Sequence, residues 1–305
     1  MYRYEDDSLM LHNDLYQINM AESYWNDGIH ERNAVFDLYF RNMPFGSGYA
    51  VFNGLKRMIQ FIENFHFSDS DIEYLQSIGY KNDFLKYLKN LKFTGNIRAM
   101  QEGELCFGNE PLLRVEAPLI QAQLIETILL NIVNFHTLIT TKASRIRQVA
   151  PQDTLMEFGT RRAQEIDAAV WGARAAYIGG FDSTSNVRAG KLFDIPVSGT
   201  HAHALVQTYG DEYKAFKIYA ERHKNCVFLV DTFHTLKSGV PTAIKVAKEL
   251  GDSINFIGIR LDSGDIAYLS KKARRMLDDA GFKDAKIIAS NDLDEQTITR
   301  SEEHT

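Results

Sequence analysis

Val227-Phe-Leu-Val-Asp-Thr-Phe-His234 and Phe256-Ile-Gly-Ile-Arg-Leu-Asp-Ser-Gly-Asp265 decide how the chain is read. Each is a short run of branched and aromatic residues that ends in acidic, hydroxyl and glycine residues, and a stretch with helical spacing separates them. That pattern marks a β-strand whose C-terminal end opens into a loop before a helix. Working outward, similar runs stand at Leu155–Phe158, Ala176–Gly179, Pro196–Gly199 and Lys286–Ser290, at intervals of about 20 to 30 residues that mostly read as helix. Strands alternating with helices at this interval give βαβ units and a parallel sheet. Six units favour a barrel, although an open doubly wound sheet has a comparable signature.

Before Pro151 no such period exists. Ala34–Phe40 alternates like a strand, whereas Leu55, Met58, Ile59, Ile62 and Phe65 recur at helical spacing. Ser68 and Asp71, ahead of Ile72 and Leu75, have the spacing of a capping box. Strand-like pieces from Gly95 to Pro118 are punctuated by Gly103, Gly108 and Pro111, and a long apolar helix is expected from Leu119 to about Gln148, bridging the halves. The fold class is therefore α/β, with an N-terminal α+β domain and its bridging helix over 1–150 and a domain of βαβ units over 151–299.

The 305 residues are 45% hydrophobic and 24% charged, which excludes disorder, collagen-like repeats and coiled coil. A net charge of −6 offers no basic field for a nucleic-acid backbone, so no nucleic-acid partner is expected. Cys106 and Cys226 sit far apart among apolar neighbours and read as buried thiols of a cytoplasmic protein. Met1–Asp7 lacks the apolar centre of a signal peptide, and no window approaches 18 uninterrupted apolar residues, so neither export nor membrane insertion is expected.

In either architecture the active site lies at the C-terminal ends of the strands. The loops there are Glu157-Phe-Gly-Thr-Arg-Arg162, Gly179-Gly-Phe-Asp-Ser-Thr184, Ser198-Gly-Thr-His-Ala-His203, Asp231-Thr-Phe-His234, Arg260-Leu-Asp-Ser-Gly-Asp265 and Ser290-Asn-Asp292. Arginines, carboxylates and hydroxyls on one rim imply anions and a metal. Ser263 and Gly264 allow a tight turn whose amides face a phosphate, Arg260 offers a fork for an anion, and Asp262 accepts from a ribose hydroxyl or holds Mg2+. A plain strand-to-helix turn with an Asp cap fits the same residues. Of the adjacent Arg161 and Arg162, one is expected to bind an anion and the other to pair with a surface carboxylate. Phe158 offers a ring for stacking a heteroaromatic ligand or for core packing. His201 and His203 face the same side if the segment is extended. A zinc pair, a base, a phosphoryl acceptor and a purely structural role are all compatible with them, and Gly199-Thr200 beside them resembles a phosphate-facing loop.

Thr160-Arg-Arg-Ala-Gln164, Gly199-Thr-His-Ala-His203, Arg260-Leu-Asp-Ser-Gly-Asp265 and Asp14-Leu-Tyr-Gln17 occur at plausible spacing, and together the chain, from about residue 9 to 299, resembles the nicotinate phosphoribosyltransferases. The resemblance implies an irregular α/β barrel of the type II phosphoribosyltransferase kind. It implies a reaction in which nicotinate and phosphoribosyl pyrophosphate give nicotinate mononucleotide and pyrophosphate, coupled to ATP hydrolysis through a phosphohistidine, in NAD salvage. By position His203 matches the phosphorylated residue, Phe158 the ring that stacks on the pyridine, and Tyr16 the ring that covers its other face from a partner subunit of a homodimer. Arg161 matches the arginine near pyridine and phosphate. Arg260 and Asp262 match residues that hold the phosphoribosyl group and its Mg2+, with Thr200, Ser263 and Gly264 facing phosphate. Asp182, Ser183 and Thr184 lie where the family builds the pocket floor.

Related transferases that take nicotinamide or quinolinate, and a ligand-binding protein without turnover, are the alternatives. The family's further strands and glycine-rich phosphate loop are expected beyond this chain, which reads as C-terminally incomplete and therefore inactive by itself, its barrel left open. Arg300-Ser-Glu-Glu-His-Thr305 departs from the family and reads as a non-native tail, so His304 carries no functional weight.

Overall fold

A computed structural model describes residues 8–303; the N-terminal heptapeptide and His304 lie outside the described residues. The chain forms two compact units, one of residues 1–147 and 154–196, the other of 148–153 and 197–305.

In the first unit α1 (Leu15–Asn26) precedes β1 (Asn33–Leu38), β2 (Ala50–Val51), α2 (Leu55–Glu63), α3 (Asp69–Ser77) and α4 (Asn82–Asn90). Then come β3 (Asn96–Ala99), β4 (Leu105–Cys106), β5 (Leu113–Pro118), α5 (Leu119–Val149), β6 (Met156–Glu157), α6 (Ile166–Ile178), β7 (Ser183–Thr184) and α7 (Val187–Phe193). β5 is the centre of an antiparallel sheet in the order β1-β5-β3, and β2 pairs with β4. The capping box at α3 forms as its sequence requires: the Ser68 hydroxyl accepts from the Asp71 amide and the Asp71 carboxylate from the Ser68 amide. α5 has the length and apolarity of a membrane span. Its Ile120, Leu124, Ile125, Ile128 and Leu129 are nevertheless buried in one cluster with Met58, Phe84, Leu88 and Val115, so it is the central core helix of this unit.

The run Ala176–Gly179, expected as a strand, is the last turn of α6 and its cap. Ala169, Val170, Trp171, Ala173, Ala175 and Ala176 are all buried, so the helix lacks the polar face that would have revealed its period. The strand lies later, at β7, which pairs in parallel with β6. Pro196–Gly199 likewise forms no ladder strand; Val197 makes an isolated bridge.

The second unit runs α8 (His203–Tyr209), α9 (Glu212–Arg222), β8 (Asn225–Leu229), α10 (Val240–Leu250), β9 (Asn255–Leu261), α11 (Ile266–Asp279), β10 (Lys286–Ala289) and α12 (Glu295–Glu303). Its sheet is parallel, in the order β10-β9-β8. Phe228, Val230, Ile259 and Leu261 pack with Phe216 of α9, Val240, Ala243 and Val246 of α10, and Ala273 and Leu277 of α11. The βαβ reading of this region holds, with parallel strands in two separate sheets of the chain.

β9 carries one irregularity. Cys226 pairs with Phe256 but Val227 pairs with Gly258, so Ile257 is an extra residue in the strand. The bulge re-aims the rest of the strand, putting Ile259 and Leu261 into the core and Arg260 on the opposite side. Gly258 makes it possible: its φ is +154°, and a Cβ there would stand 1.9 Å from the Lys286 carbonyl oxygen. Gly258→Ala should therefore separate β9 from β10 and destabilise the fold by about 3 kcal/mol or more. A urea-unfolding midpoint unchanged from that of the parent chain would contradict this account of the bulge.

Candidate active site

β9 ends at Leu261, and the chain turns through Asp262, Ser263 and Gly264 into α11. Gly264 supplies the left-handed backbone of that turn, with φ +79°. Asp265 caps the helix by accepting from the Tyr268 amide at 3.0 Å. The cap expected of an ordinary strand-to-helix turn is thus present, but the turn also carries a network. Arg260 donates from Nε to Ser290 Oγ at 2.8 Å, from Nη1 to Thr200 Oγ1 at 3.0 Å and from Nη2 to Asp262 Oδ1 at 2.8 Å. Ser290, the residue after β10, also donates to Asp262 Oδ1. Burial pushes the Asp262 carboxyl pKa up, but the Ser290 hydroxyl and the Arg260 guanidinium outweigh it and hold the group below its ordinary value.

His203 opens α8 beside this network. Its Nδ1 is 3.0 Å from Thr232 Oγ1, and its Nε2 is 3.5 Å from Asp262 Oδ2 and 4.0 Å from Asp231 Oδ1. The Asp231 side chain is only 1% exposed. Its Oδ2 accepts from the Asp262 amide at 2.8 Å and the Ser263 hydroxyl at 2.6 Å, while Oδ1 is buried without a hydrogen-bond partner. Sequence reasoning placed the Asp231–His234 loop on the rim without assigning Asp231 or Thr232 a role. Their signal is position alone, directly after an apolar strand.

His201 is a different residue altogether. It is buried among Phe216, Tyr219 and Phe228, with ring centroids 5.0 to 6.5 Å away, and its Nε2 accepts from the Leu229 amide at 3.1 Å. Burial pushes its pKa down to about 4, so the ring is neutral and structural. With Nε2 engaged by the backbone, the zinc pair with His203 does not form. No group of three or more His, Cys, Asp or Glu arranged to hold a metal occurs among the described residues.

In the first unit, Phe158, Arg161, Asp182 and Ser183 sit at the ends of the β6–β7 pair. Phe158 follows β6 and is half-buried, and Arg161 and Arg162 lie in the exposed 3-10 turn Thr160–Arg162. Glu157 accepts from the Gly159 amide and from the Thr184 hydroxyl at 2.6 Å, joining that turn to β7. Ser183 is buried in β7. Asp182 accepts from the Leu155 amide at 2.7 Å and pairs with Arg147 at 2.7 Å, which together keep its pKa low. It ties the end of α5 to β6. Tyr16, on α1, is 53% exposed.

Residues 11–134 match the family model described as the nicotinate phosphoribosyltransferase N-terminal domain, and residues 154–304 match that of the nicotinate phosphoribosyltransferase family. The chain belongs to the nicotinate phosphoribosyltransferase family. It is 70% identical over 298 residues to the nicotinate phosphoribosyltransferase of Bacillus subtilis, a match that covers 97% of this chain and 61% of the relative. The crystal structure of human nicotinic acid phosphoribosyltransferase superposes with a TM-score of 0.87 at 32% identity, over 94% of this chain and 70% of that one. A nicotinate-nucleotide pyrophosphorylase from Pyrococcus furiosus shares the fold, with a TM-score of 0.80 at 24% identity over 98% of this chain and 70% of that one. The chain thus spans less than two thirds of the Bacillus relative's length. These likenesses also support the fold class read from the sequence, an N-terminal α+β part followed by a catalytic part of type II phosphoribosyltransferase kind.

In this family member the buried His201 makes stability depend on pH. The unfolded ring takes a proton near its ordinary pKa of about 6.5, while the folded ring does so only near 4. Stability is therefore full above the unfolded value and falls as pH drops toward the folded one, by about 3 kcal/mol from this residue. His201→Gln keeps an acceptor for Leu229 and does not titrate. Urea-unfolding free energies between pH 6.5 and 4 should fall less steeply in the variant; equal slopes would remove His201 from the account.

Proposed function

We propose that the chain carries the machinery of a nicotinate phosphoribosyltransferase that forms nicotinate mononucleotide and pyrophosphate from nicotinate and phosphoribosyl pyrophosphate, in NAD salvage. ATP hydrolysis is coupled to this through His203. The observation that carries the reading is the cluster of His203, Arg260, Asp262 and Asp231 at the strand ends, in a chain so similar to the Bacillus relative.

In this reading the pyridine nitrogen donates its lone pair to C1 of the ribose, and the bond from C1 to the pyrophosphate oxygen breaks. No base is needed, because that nitrogen carries no proton to remove. Phe158 stacks on the ring, and Tyr16 covers its other face from the partner of a homodimer. The exposure of Tyr16 beside Leu15, itself 60% exposed, suits a residue that serves a neighbouring site. Arg161 neutralises carboxylate and phosphate charge, Asp182 and Ser183 shape the floor, and Thr200, Ser263 and Gly264 face phosphate oxygens.

Mg2+ fits these residues. Asp262 and Asp231 offer the hard oxygens it prefers, and Asp231 Oδ1 is buried with no donor to satisfy it. Asp262 would hold the ion together with substrate phosphates, and the ion would supply charge neutralisation of the leaving group. Cys106 and Cys226 are buried free thiols, which suits the cytoplasmic location of this reading.

In a chain extended to the full length of the Bacillus relative, labelled ATP should leave an acid-labile, base-stable phosphate that His203→Ala abolishes and His201→Gln retains. Pyrophosphate release should follow nicotinate and not nicotinamide or quinolinate. Label persisting in His203→Ala would sink the phosphohistidine, and tight nicotinate binding without turnover would leave a ligand-binding protein.

A further inference from the structure

The imidazole of His203 is hydrogen-bonded at Nδ1 and faces carboxylates at Nε2, so its two nitrogens meet partners of different kinds. Nε2 looks toward two carboxylates, Asp262 at 3.5 Å and Asp231 at 4.0 Å. Nδ1 meets the Thr232 hydroxyl at 3.0 Å. Carboxylates are acceptors, so their field favours the proton on Nε2; a hydroxyl donates or accepts as required. With Nε2 protonated, Nδ1 holds the lone pair and Thr232 donates to it. His203 itself is 35% exposed at its side chain, open enough for a ligand to reach.

Thr232 is well placed for such a task because its loop is fixed from two sides. The Val230 amide donates to the Arg260 carbonyl at 3.2 Å, so Thr232 lies only two residues beyond a bond to the sheet. On the far side the His234 carbonyl accepts from the Ser238 hydroxyl at 3.0 Å and from the Ser238 amide at 2.9 Å. His234 then caps the π-helical turn Thr235–Gly239, its Nδ1 accepting from the Lys237 amide at 3.2 Å. Gly239 lies close under Val230: a Cβ there would stand 1.8 Å from the Val230 carbonyl oxygen.

We propose that Thr232 is the positioning residue of His203: its hydroxyl fixes the ring orientation, while the carboxylates favour the proton on Nε2, so that Nδ1 carries the reacting lone pair. This rests on the functional reading above. In the phosphoryl-transfer step the Nδ1 lone pair forms a bond to the γ-phosphorus of ATP and the bond from that phosphorus to the bridging oxygen breaks, with its electron pair leaving on ADP. The ring keeps its Nε2 proton and gains positive charge, which Asp231 and Asp262 face. The Thr232 hydroxyl must rotate off Nδ1 as the bond forms, and a phosphoryl oxygen is then its nearest acceptor. Because Thr232 acts through the histidine and not on nicotinate, its loss should change the phosphorylation rate and leave nicotinate binding alone.

Three variants test this: Thr232→Val, which keeps the shape and removes the hydroxyl, Thr232→Ser, which keeps the hydroxyl, and Thr232→Ala, should the valine fail to fold. Long-range proton–nitrogen correlation spectra of the histidine rings in the 305-residue chain should give the Nε2-protonated tautomer for His203 in the parent and Thr232→Ser. Thr232→Val should keep that tautomer and shift the Nδ1 resonance, because that nitrogen loses its hydrogen bond. In the extended chain, the rate of label transfer from ATP should fall about 10- to 100-fold in Thr232→Val and stay within about threefold of the parent in Thr232→Ser, with an unchanged nicotinate KM. An unchanged Nδ1 resonance and unchanged labelling in Thr232→Val would overturn the proposal, as would a serine variant as slow as the valine one. Absence of label in the parent would overturn the functional reading instead, and the spectra would still decide the role of Thr232.

Discussion

The guanidinium of Arg260 is the constraint on which the site depends. One side chain on β9 reaches Ser290 after β10, Thr200 ahead of α8 and Asp262 on its own turn. A planar fork with its donors in fixed directions can satisfy three such acceptors at once only if the loops carrying them are held in register. Lysine, a single flexible point charge, could not. The group that reads in sequence as a fork for an anion is therefore also the clasp of the site, and it sets the Asp262 carboxylate that stands beside His203.

Arg260 reaches those partners because the backbone beneath it is irregular. Without the extra Ile257, every later side chain of β9 would point to the opposite face, and the arginine would face the core where Ile259 and Leu261 now pack. The bulge depends in turn on Gly258, whose missing side chain lets the Lys286 carbonyl approach. A glycine inside an apolar strand, which propensity alone marks as a weakness, is what aims the site's principal cation.

Much of this was legible in the sequence where local chemistry has one outcome. Ser68 and Asp71 cap α3, α5 runs as its spacing required, and the turn after β9 has its Asp265 cap. The features that escaped were set by tertiary contact. Ala176–Gly179 could pass for a strand because α6 is mostly apolar and shows no polar stripe; Gly179 stands so near α5 that a Cβ would lie 2.6 Å from the Thr140 carbonyl oxygen. Asp231 and Thr232 gave no signal beyond their place after a strand, since an aspartate and a threonine are ordinary turn residues. Only the fold shows that one is buried with an unsatisfied oxygen and the other touches His203.

The two histidines of Gly199-Thr-His-Ala-His203 show how far spacing can mislead. Residues two apart share a face only while the chain stays extended, and here the extension ends between them: Ala202, with φ −108° and ψ 166°, is the N-cap, and His203 is the first residue of α8. His201 turns inward to a cage of rings and a backbone amide, where burial keeps it neutral well below ordinary pH. His203 turns to a hydroxyl and two carboxylates, where one nitrogen can hold a proton and the other a lone pair. Identical side chains thus receive opposite tasks from their surroundings, and the buried one helps the other: by binding the Leu229 amide it fastens the segment that carries His203 to the strand that leads into Asp231 and Thr232.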